Sequence, residues 1–169
     1  MQTTAQIPET LVFDEEPLSM CTTPLESWLE QQQLVLCSER VSPSCLRRYV
    51  AQWELHRGRL YLSAVRSFGG HAFVRRRGGY LTSELSLIGL FPQAQGPVCA
   101  DWYSGQLRCP IGPLLRSGAG GESVHEQDML VDIDAGHVER IAFCHNDGEP
   151  LRVLAHRREA PSGALGAAA

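Results

Sequence analysis

The side chains best suited to chemistry in this sequence surround one tryptophan, Trp102. If residues 98–111 fold back on themselves at Ser104–Gly105, Asp101 faces Arg108 on the side of the hairpin opposite Trp102. An acid and a base in that arrangement form a surface ion pair worth about 0.2–1 kcal/mol, or they line a concave ligand site on the open side of the sheet. The predicted binding site there comprises Asp101, Tyr103, Arg108, His125 and Glu126.

A second interpretation of the same region is a hydrolase. The region offers three carboxylates and an imidazole, which are the groups used in general acid–base hydrolysis. These groups belong to Asp101, His125, Glu126 and Asp128. A deep pocket in which they converge favours an enzyme, whereas a flat or convex polar surface favours a binding protein.

Motifs of known catalytic and metal sites are absent from the sequence. His125–Asp128 begins like the helix motif of zinc proteases, but Met129 stands where that motif requires a second histidine. The six cysteines include no C-x-x-C pair, and the neighbours Cys144 and His145 would point to opposite faces of a strand. No G-x-S-x-G elbow, phosphate loop or dinucleotide fingerprint is present. We therefore expect no metal, no cofactor and no enzymatic activity.

Charge is distributed unevenly along the chain, which has fifteen arginines and no lysine. Residues 39–81 hold nine arginines and two acids, or +7, and the remainder holds six and seventeen, or −11, which sums to the net charge of −4. Arg75, Arg76 and Arg77 form a run flanked by aromatic residues. A solvated loop explains this run, and binding to nucleic acid is the alternative, although no RNA-binding motif accompanies it.

Length and composition predict one cytoplasmic domain. A chain of 169 residues buries roughly 68–70% of its unfolded surface without disulfides. The start of the sequence has no signal-peptide pattern, and no apolar run approaches the ~20 residues of a membrane span. We predict a globular domain at residues 8–156, a disordered N-terminus at residues 1–7 and a disordered tail at residues 157–169.

The strongest structural signal is a β-hairpin in residues 46–65, with its turn at Arg57–Gly58. A two-residue turn there makes every cross-strand pair on one face apolar. The predicted pairs are Leu55–Leu60, Trp53–Leu62 and Ala51–Ala64. Slipping the register by one residue would turn Trp53 outward, so the pattern itself favours this pairing.

Two further segments show the same design. Residues 98–111 would pair Trp102 with Leu107, Ala100 with Cys109 and Val98 with Ile111. Residues 129–143 would turn at Ala135–Gly136 and would pair Ile133 with Val138 and Val131 with Arg140. The spacing from tryptophan to glycine differs between the first two hairpins, so an internal repeat is not supported.

The remaining elements are shorter. Thr23, Pro24 and Glu26 have the spacing of a capping box at the start of a helix that we predict over residues 23–33. Short strands are expected at residues 10–13, 18–21 and 151–156, and a long mobile loop or irregular hairpin at residues 67–80. The predicted fold is α+β and mainly β, a curved antiparallel sheet or partly open barrel or roll built of hairpins, with one N-terminal helix packed on it.

The hairpin motifs resemble those of a family of small uncharacterised bacterial proteins. They are W-E-L-H-R-G-R-L-Y-L at residues 53–62 and A-D-W-Y-S-G-Q-L-R at residues 100–108, followed by an acidic stretch that leads into an apolar strand at residues 126–133. The similarity covers about residues 10–145. It implies a bacterial, single-domain protein and carries no site residue or activity across.

Function is narrowed mainly by the missing motifs. We expect a non-enzymatic cytoplasmic binding protein whose partner is another protein, with a small-molecule ligand as the second option. Size, acidity and the lack of catalytic motifs also fit an immunity or inhibitor protein that neutralises a bacterial toxin. The alternatives are the hydrolase above and a nucleic-acid interface at Arg75, Arg76 and Arg77.

Overall fold

The structure is a computed structural model that describes residues 4–117, 123–147 and 152–156. The predicted α+β class, dominated by strands, is confirmed. The described elements are β1 (Glu9–Phe13), β2 (Glu16–Met20), α1 (Pro24–Gln31), β3 (Leu34–Ser38), β4 (Tyr49–His56), β5 (Arg59–Ser67), β6 (Ala72–Arg76), β7 (Leu81–Glu84), α2 (Leu87–Leu90), β8 (Val98–Cys99), β9 (Gly105–Ser117), β10 (Ser123–Asp134), β11 (His137–His145) and β12 (Arg152–His156).

Nine of these strands form one large sheet in the order β2-β1-β4-β5-β11-β10-β9, with β12 paired to β11 and β8 paired to β5. The pairing is antiparallel except between β1 and β4, which are parallel. The two terminal strands of the sheet approach each other, since the Cys21 N–H donates to the Arg108 carbonyl oxygen at 3.0 Å. The described strands do not close the sheet, so the predicted partly open architecture is confirmed.

A second, smaller sheet contains β3, β6 and β7. It is formed in part by residues 67–80, where the sequence predicted a long loop or an irregular hairpin. Cys37 pairs with Phe73 and Phe73 with Glu84, so β6 is the central strand. The segment is therefore an irregular hairpin, the second of the two predicted forms, with a register shift between Val74 and Arg75 and its turn between Arg76 and Leu81.

The core is shared by the large sheet, the small sheet and both helices. It follows the two-residue period of the strands, with alternate residues of β4, β5, β9 and β10 turned inward. Leu25 and Leu29 of α1 join it. The fully buried members include Leu11, Trp53, Leu62, Leu107, Met129 and Val131. Full burial of such a side chain contributes about 1.5–3 kcal/mol.

The first predicted hairpin is confirmed next to its turn. Arg57 and Gly58 have φ of 49° and 71°, as a type I′ turn requires. The pairs closest to the turn are those predicted, Leu55–Leu60 and Trp53–Leu62. Further along, Ala51 pairs with Val65 rather than with Ala64, because Ser63 is an extra residue in β5 and shifts the register.

The hairpin of β10 and β11 behaves in the same way. Its turn lies at Ala135–Gly136, and Ile133 pairs with Val138 as predicted. The predicted pairing of Val131 with Arg140 is wrong. Glu139 is an extra residue in β11, so Arg140 faces Asp132 and their side chains form an ion pair, with Arg140 Nε 2.7 Å from Asp132 Oδ2.

The predicted hairpin at residues 98–111 is wrong. Val98 and Cys99 pair with β5, whereas β9 pairs with β10 along its whole length. The chain between them turns at once, because the Ala100 N–H donates to the Leu60 carbonyl oxygen and the Tyr103 N–H to the Ala100 carbonyl oxygen. The alternating apolar residues that suggested a hairpin therefore belong to two strands, β8 and β9, which pair with β5 and β10 and not with each other.

Trp102 consequently lies in an aromatic cluster instead of opposite Leu107. Its ring stacks on Phe91 at 5.7 Å between centroids and lies 6.0 Å from Trp28 of α1. The Trp102 Nε1–H donates to the Pro24 carbonyl oxygen at 3.2 Å. The indole therefore fastens the helix to the sheet.

The helix α1 is shorter than predicted, and its cap differs. The Thr23 side chain makes no hydrogen bond to a backbone N–H of the first turn. The Thr23 hydroxyl instead donates to Glu26 Oε2 at 3.0 Å, and the Glu26 N–H donates to the Thr23 carbonyl oxygen at 3.2 Å. The reciprocal capping box is thus replaced by a bond between its two side chains.

The predicted disordered ends fall mostly on residues 1–3 and 157–169, which lie outside the described residues. Residues 4–7 are described, and the Ile7 N–H donates to the Ser44 carbonyl oxygen at 2.7 Å. The predicted last strand is present as β12 and pairs with β11. Neither helix in the described part of the chain has the length and apolar character needed to cross a bilayer.

A candidate binding cleft

The structure separates the residues of the sequence-predicted site. Arg108 does not face Asp101; its Nε lies 3.3 Å from Asp128 Oδ1, with the two side chains 40% and 10% exposed. Asn146 Nδ2 donates to the other oxygen of Asp128 at 3.1 Å. Arg108 and Asp128 therefore form a structural ion pair on the outer face of β9 and β10.

Asp101 and His125 lie near opposite ends of β10. The turn that contains Asp101 is fixed at the far end by a hydrogen bond from Ser104 Oγ to Asp134 Oδ1 at 3.2 Å. Nine residues separate His125 from Asp134, and a strand rises about 3.3 Å per residue, which gives about 30 Å. The predicted acid–base cluster, in which Glu126 follows His125, is therefore not assembled.

The other predicted residues have structural contacts or lie at the surface. The Tyr103 hydroxyl donates to the Gln106 carbonyl oxygen at 3.4 Å, and burial raises the pKa of Tyr103. His125 Nδ1 lies 2.9 Å from the Gly112 carbonyl oxygen. The three arginines of the basic run are exposed at the β6–β7 turn of the small sheet; they are Arg75, Arg76 and Arg77.

The thiols of Cys21 and Cys109 do not have the properties of catalytic nucleophiles. Burial raises the pKa of the Cys21 thiol and brings the pKa of Cys109 to about 12, whereas an active thiol has a lowered pKa. Cys144 Sγ is directed to the His145 carbonyl oxygen at 3.9 Å. Within the described residues, no group of three or more His, Cys, Asp or Glu side chains could hold a metal ion.

A cleft of about 1000 Å³ lies elsewhere, where two hairpin turns meet the start of β11. Its lining comes from the β1–β2 turn, the β4–β5 turn and the first residues of β11. It exists because β5 and β11 pair at one position only, Arg59 with His137, and β11 then pairs with β12. The sheet opens at this point and leaves the cleft. The volume of the cleft lies within the range of ligand-binding sites.

The lining combines apolar and negatively charged side chains. Half-buried apolar residues contribute Val12, Phe13, Leu55, Val138 and Ile141. The carboxylates are Asp14, Glu15, Glu54 and Glu139, and the other polar side chains are His56, Arg57 and His137. Four acids and one arginine give a charge of −3 with neutral histidines. We call this set of residues the acidic cleft.

The backbone presents several of these charges in unusual conformations. Asp14 and Glu15 have φ of 51° and 66°, and Arg57 has φ of 49°. Positive φ is what two-residue hairpin turns of type I′ require, and Ala135, at a turn outside the cleft, has a similar φ of 44°, so the turns explain these values. Glu139 is the extra residue of a β-bulge, and such bulges redirect side chains.

Sequence reasoning did not find the acidic cleft. The relevant signals in the sequence are the acidic residues Asp14, Glu15 and Glu16 and the Arg57–Gly58 turn, and turn formation alone explains each of them. The parallel pairing of β1 with β4, which sets Val12 beside Glu54, brings the two turns together. Nothing local in the sequence indicates that pairing.

Comparisons with protein-family models, with curated proteins and with solved structures find no match for this chain. The resemblance to small bacterial proteins therefore stays a prediction, and the function is argued from the cleft alone.

Proposed function

We propose that the protein is a non-enzymatic binding protein and that its acidic cleft holds a positively charged segment of another protein. The observation that carries the proposal is that four carboxylates and five half-buried apolar side chains line the same opening of the sheet. An arginine or lysine side chain is complementary to both the apolar and the acidic side chains of the cleft, since its aliphatic stem packs on apolar surface while its head group binds a carboxylate.

The position of the carboxylates also suits a role in association. Asp14 and Glu15 are exposed on a hairpin turn, and Glu54 is half-buried at the edge of the opening. Exposed charges of one sign attract an oppositely charged partner during diffusion and set the orientation of the encounter. Binding by this mechanism weakens as salt concentration rises.

The hydrolase alternative loses its main support. It would use some of Asp101, His125, Glu126 and Asp128, and the length of β10 keeps Asp101 apart from the other three. A binding role requires no such convergence.

The decisive experiment is a titration with a hexa-arginine peptide at low salt, in which binding is measured by calorimetry. The cleft variant Asp14→Asn/Glu15→Gln/Glu54→Gln removes three negative charges from the acidic cleft. We expect its affinity for the peptide to fall by about tenfold or more, since close charge pairs across an interface contribute over 1 kcal/mol each.

The matched control is the triple variant Glu30→Gln/Glu39→Gln/Asp101→Asn. These three residues are exposed and lie outside the acidic cleft, so the change in net charge is identical. We expect this variant to bind hexa-arginine almost as tightly as the unmodified protein. Equal losses in the two variants would show that net charge, not the cleft, attracts the peptide, and the proposal would fail.

Neutralisation of a toxin is a specific form of this proposal. Many small inhibitors act by covering a charged active site, and an acidic cleft of this kind would suit a toxin with a basic surface. A toxin gene next to the gene for this protein, with a product that binds the unmodified protein but not the cleft variant, would support that role. A product that binds both equally would exclude the acidic cleft as its site.

A further inference from the structure

The hairpin turn between β6 and β7 presents the opposite chemistry to the acidic cleft. Its residues Arg75–Tyr80 are all exposed, and the Tyr80 side chain is 94% exposed. The ion pairs among the described residues involve other basic side chains and leave these three arginines out. We call this segment the arginine tip.

The backbone of the arginine tip is held in place on both sides. The Arg77 N–H donates to the Gln33 carbonyl oxygen at 2.7 Å, and the Gly79 N–H donates to the Arg76 carbonyl oxygen at 2.8 Å. Gly78 has φ of 75°, which completes a tight turn. A tip that is already ordered loses less conformational entropy when it binds.

We propose that the arginine tip of one copy of this chain docks into the acidic cleft of a second copy. The tip carries three positive charges and the cleft carries a net charge of −3 with neutral histidines. Tyr80 supplies an aromatic ring for the apolar part of the cleft, where Phe13 and Leu55 are half-buried. The proposal rests on the proposed function, because it names the cationic segment that the cleft receives.

The two surfaces belong to different parts of one chain. The arginine tip lies on the small sheet, whereas the acidic cleft is formed by strands of the large sheet. No hydrogen bond or ion pair found among the described residues joins the tip to the cleft. Contact between them in a second copy is head-to-tail, and a head-to-tail contact gives either a ring or an open chain of copies.

The test is charge reversal on each side, followed by sedimentation velocity at low and high salt. The tip variant is Arg75→Glu/Arg76→Glu/Arg77→Glu, and the reversed-cleft variant is Glu15→Arg/Glu54→Arg. We expect the unmodified protein to associate as its concentration rises at low salt, and each variant alone to stay monomeric. An equimolar mixture of the two variants should associate again, because each then offers the charge that the other lacks.

Restored association in the mixture also shows that both variants are folded. The proposal is overturned if the unmodified protein stays monomeric at every concentration, or if the tip variant associates as the unmodified protein does. It is also overturned if the arginine tip binds a single-stranded oligonucleotide at low salt while the protein stays monomeric, since the tip would then be a binding site for nucleic acid.

A peptide titration separates this inference from the proposed function. The variant Arg75→Gln/Arg76→Gln/Arg77→Gln keeps an intact cleft and adds no acidic site at the tip, so it is titrated with hexa-arginine and with the peptide FVRRRGGY, which is residues 73–80 of the chain. We expect both peptides to bind, and both to bind about tenfold more weakly when Glu15→Arg/Glu54→Arg is added. If hexa-arginine binds and FVRRRGGY does not, the inference fails and the proposed function stands; if neither binds, both fail.

Discussion

Glu9 and two carboxylates of the acidic cleft, Asp14 and Glu15, lie on the same hairpin but in opposite environments. Glu9 is 1% exposed, and it accepts a hydrogen bond from Trp53 Nε1 at 2.6 Å. Asp14, five residues further on, is exposed at the turn. The charge of a buried carboxylate opposes folding, whereas the charge of an exposed one costs little and is available to a partner. One hairpin therefore contributes both to the stability of the core and to the binding surface.

The surroundings of Glu9 explain its protonation. Arg47 Nε lies 3.3 Å from Glu9 Oε1, and both this cation and the Trp53 N–H favour the ionised form. Burial outweighs them and raises the pKa of Glu9 to about 7. The buried carboxyl group thus holds its proton over much of the acidic range, while the exposed acids of the cleft interact with water.

The largest effect is expected at Trp53, which joins this buried group to the core. Trp53→Ala should lower the free energy of unfolding by about 3–5 kcal/mol, because it removes a fully buried indole and leaves Glu9 without a donor. Urea denaturation followed by circular dichroism measures the loss. The control is Trp102→Ala, whose indole is half-buried in the aromatic cluster, and a loss as large as that of Trp53→Ala would contradict this ranking.

Glu9 itself should make the stability depend on pH. Its pKa is raised from 4.5 to about 7 on folding, so the folded state binds a proton more tightly than the unfolded state between these values. The contribution of Glu9 to stability is therefore full below pH 4.5, falls as pH rises to about 7 and is then constant. The loss is about 3 kcal/mol over this window.

The substitution Glu9→Gln isolates that contribution, because glutamine is neutral in both states. The difference in unfolding free energy between Glu9→Gln and the unmodified protein, measured in urea at several pH values, should change by about 3 kcal/mol between pH 4.5 and 7. A difference that is constant with pH would show that the ion pair with Arg47 keeps Glu9 charged.

Asp132, at the surface, should make stability depend on pH in the opposite direction to Glu9. Gln106 Nε2 donates to Asp132 Oδ1 at 2.8 Å, and this bond, with the Arg140 guanidinium, lowers the pKa of Asp132. Its contribution to stability is therefore present above the ordinary value of 3.8 and is lost as pH falls through the lower folded value. Asp132→Asn should cost under about 1 kcal/mol at neutral pH and almost nothing in strong acid, as thermal denaturation at both pH values would show.

How much of this fold the sequence predicts depends on the range of the interactions. The turns at Arg57–Gly58 and Ala135–Gly136 were predicted because each needs only a glycine with positive φ between two alternating strands. The same signature at Ser104–Gly105 failed, since Gly105 does not adopt a positive φ and β8 pairs with a strand that lies over thirty residues earlier. Local chemistry identifies a turn but does not choose between partners for a strand.

The acidic cleft was beyond the reach of sequence reasoning for a related reason. It depends on a parallel pairing of β1 with β4 and on one extra residue, Glu139, in β11. An extra residue reverses the side-chain alternation on which strand prediction rests. The predicted contact between Asp101 and Arg108 is wrong for a different reason, because it was derived from a pairing of residues 98–111 that the chain does not form.

The smallest expected effect on stability is at the cleft, and it tests the contrast with Glu9 most directly. Glu54→Gln should change the free energy of unfolding by no more than about 0.5 kcal/mol, because the side chain is partly solvated and loses only its charge. The same substitution should weaken the binding of hexa-arginine by a measurable factor, since it removes one of four cleft carboxylates. Urea denaturation and calorimetric titration on one preparation give both values.

Glu9→Gln should show the reverse, a large change in the pH dependence of stability with unchanged peptide binding, because the Glu9 carboxyl group is buried and cannot contact a peptide. If Glu54→Gln destabilised the protein as strongly as a core substitution, the cleft acids would be structural, and the contrast between the buried Glu9 and the binding carboxylates of the cleft would be wrong.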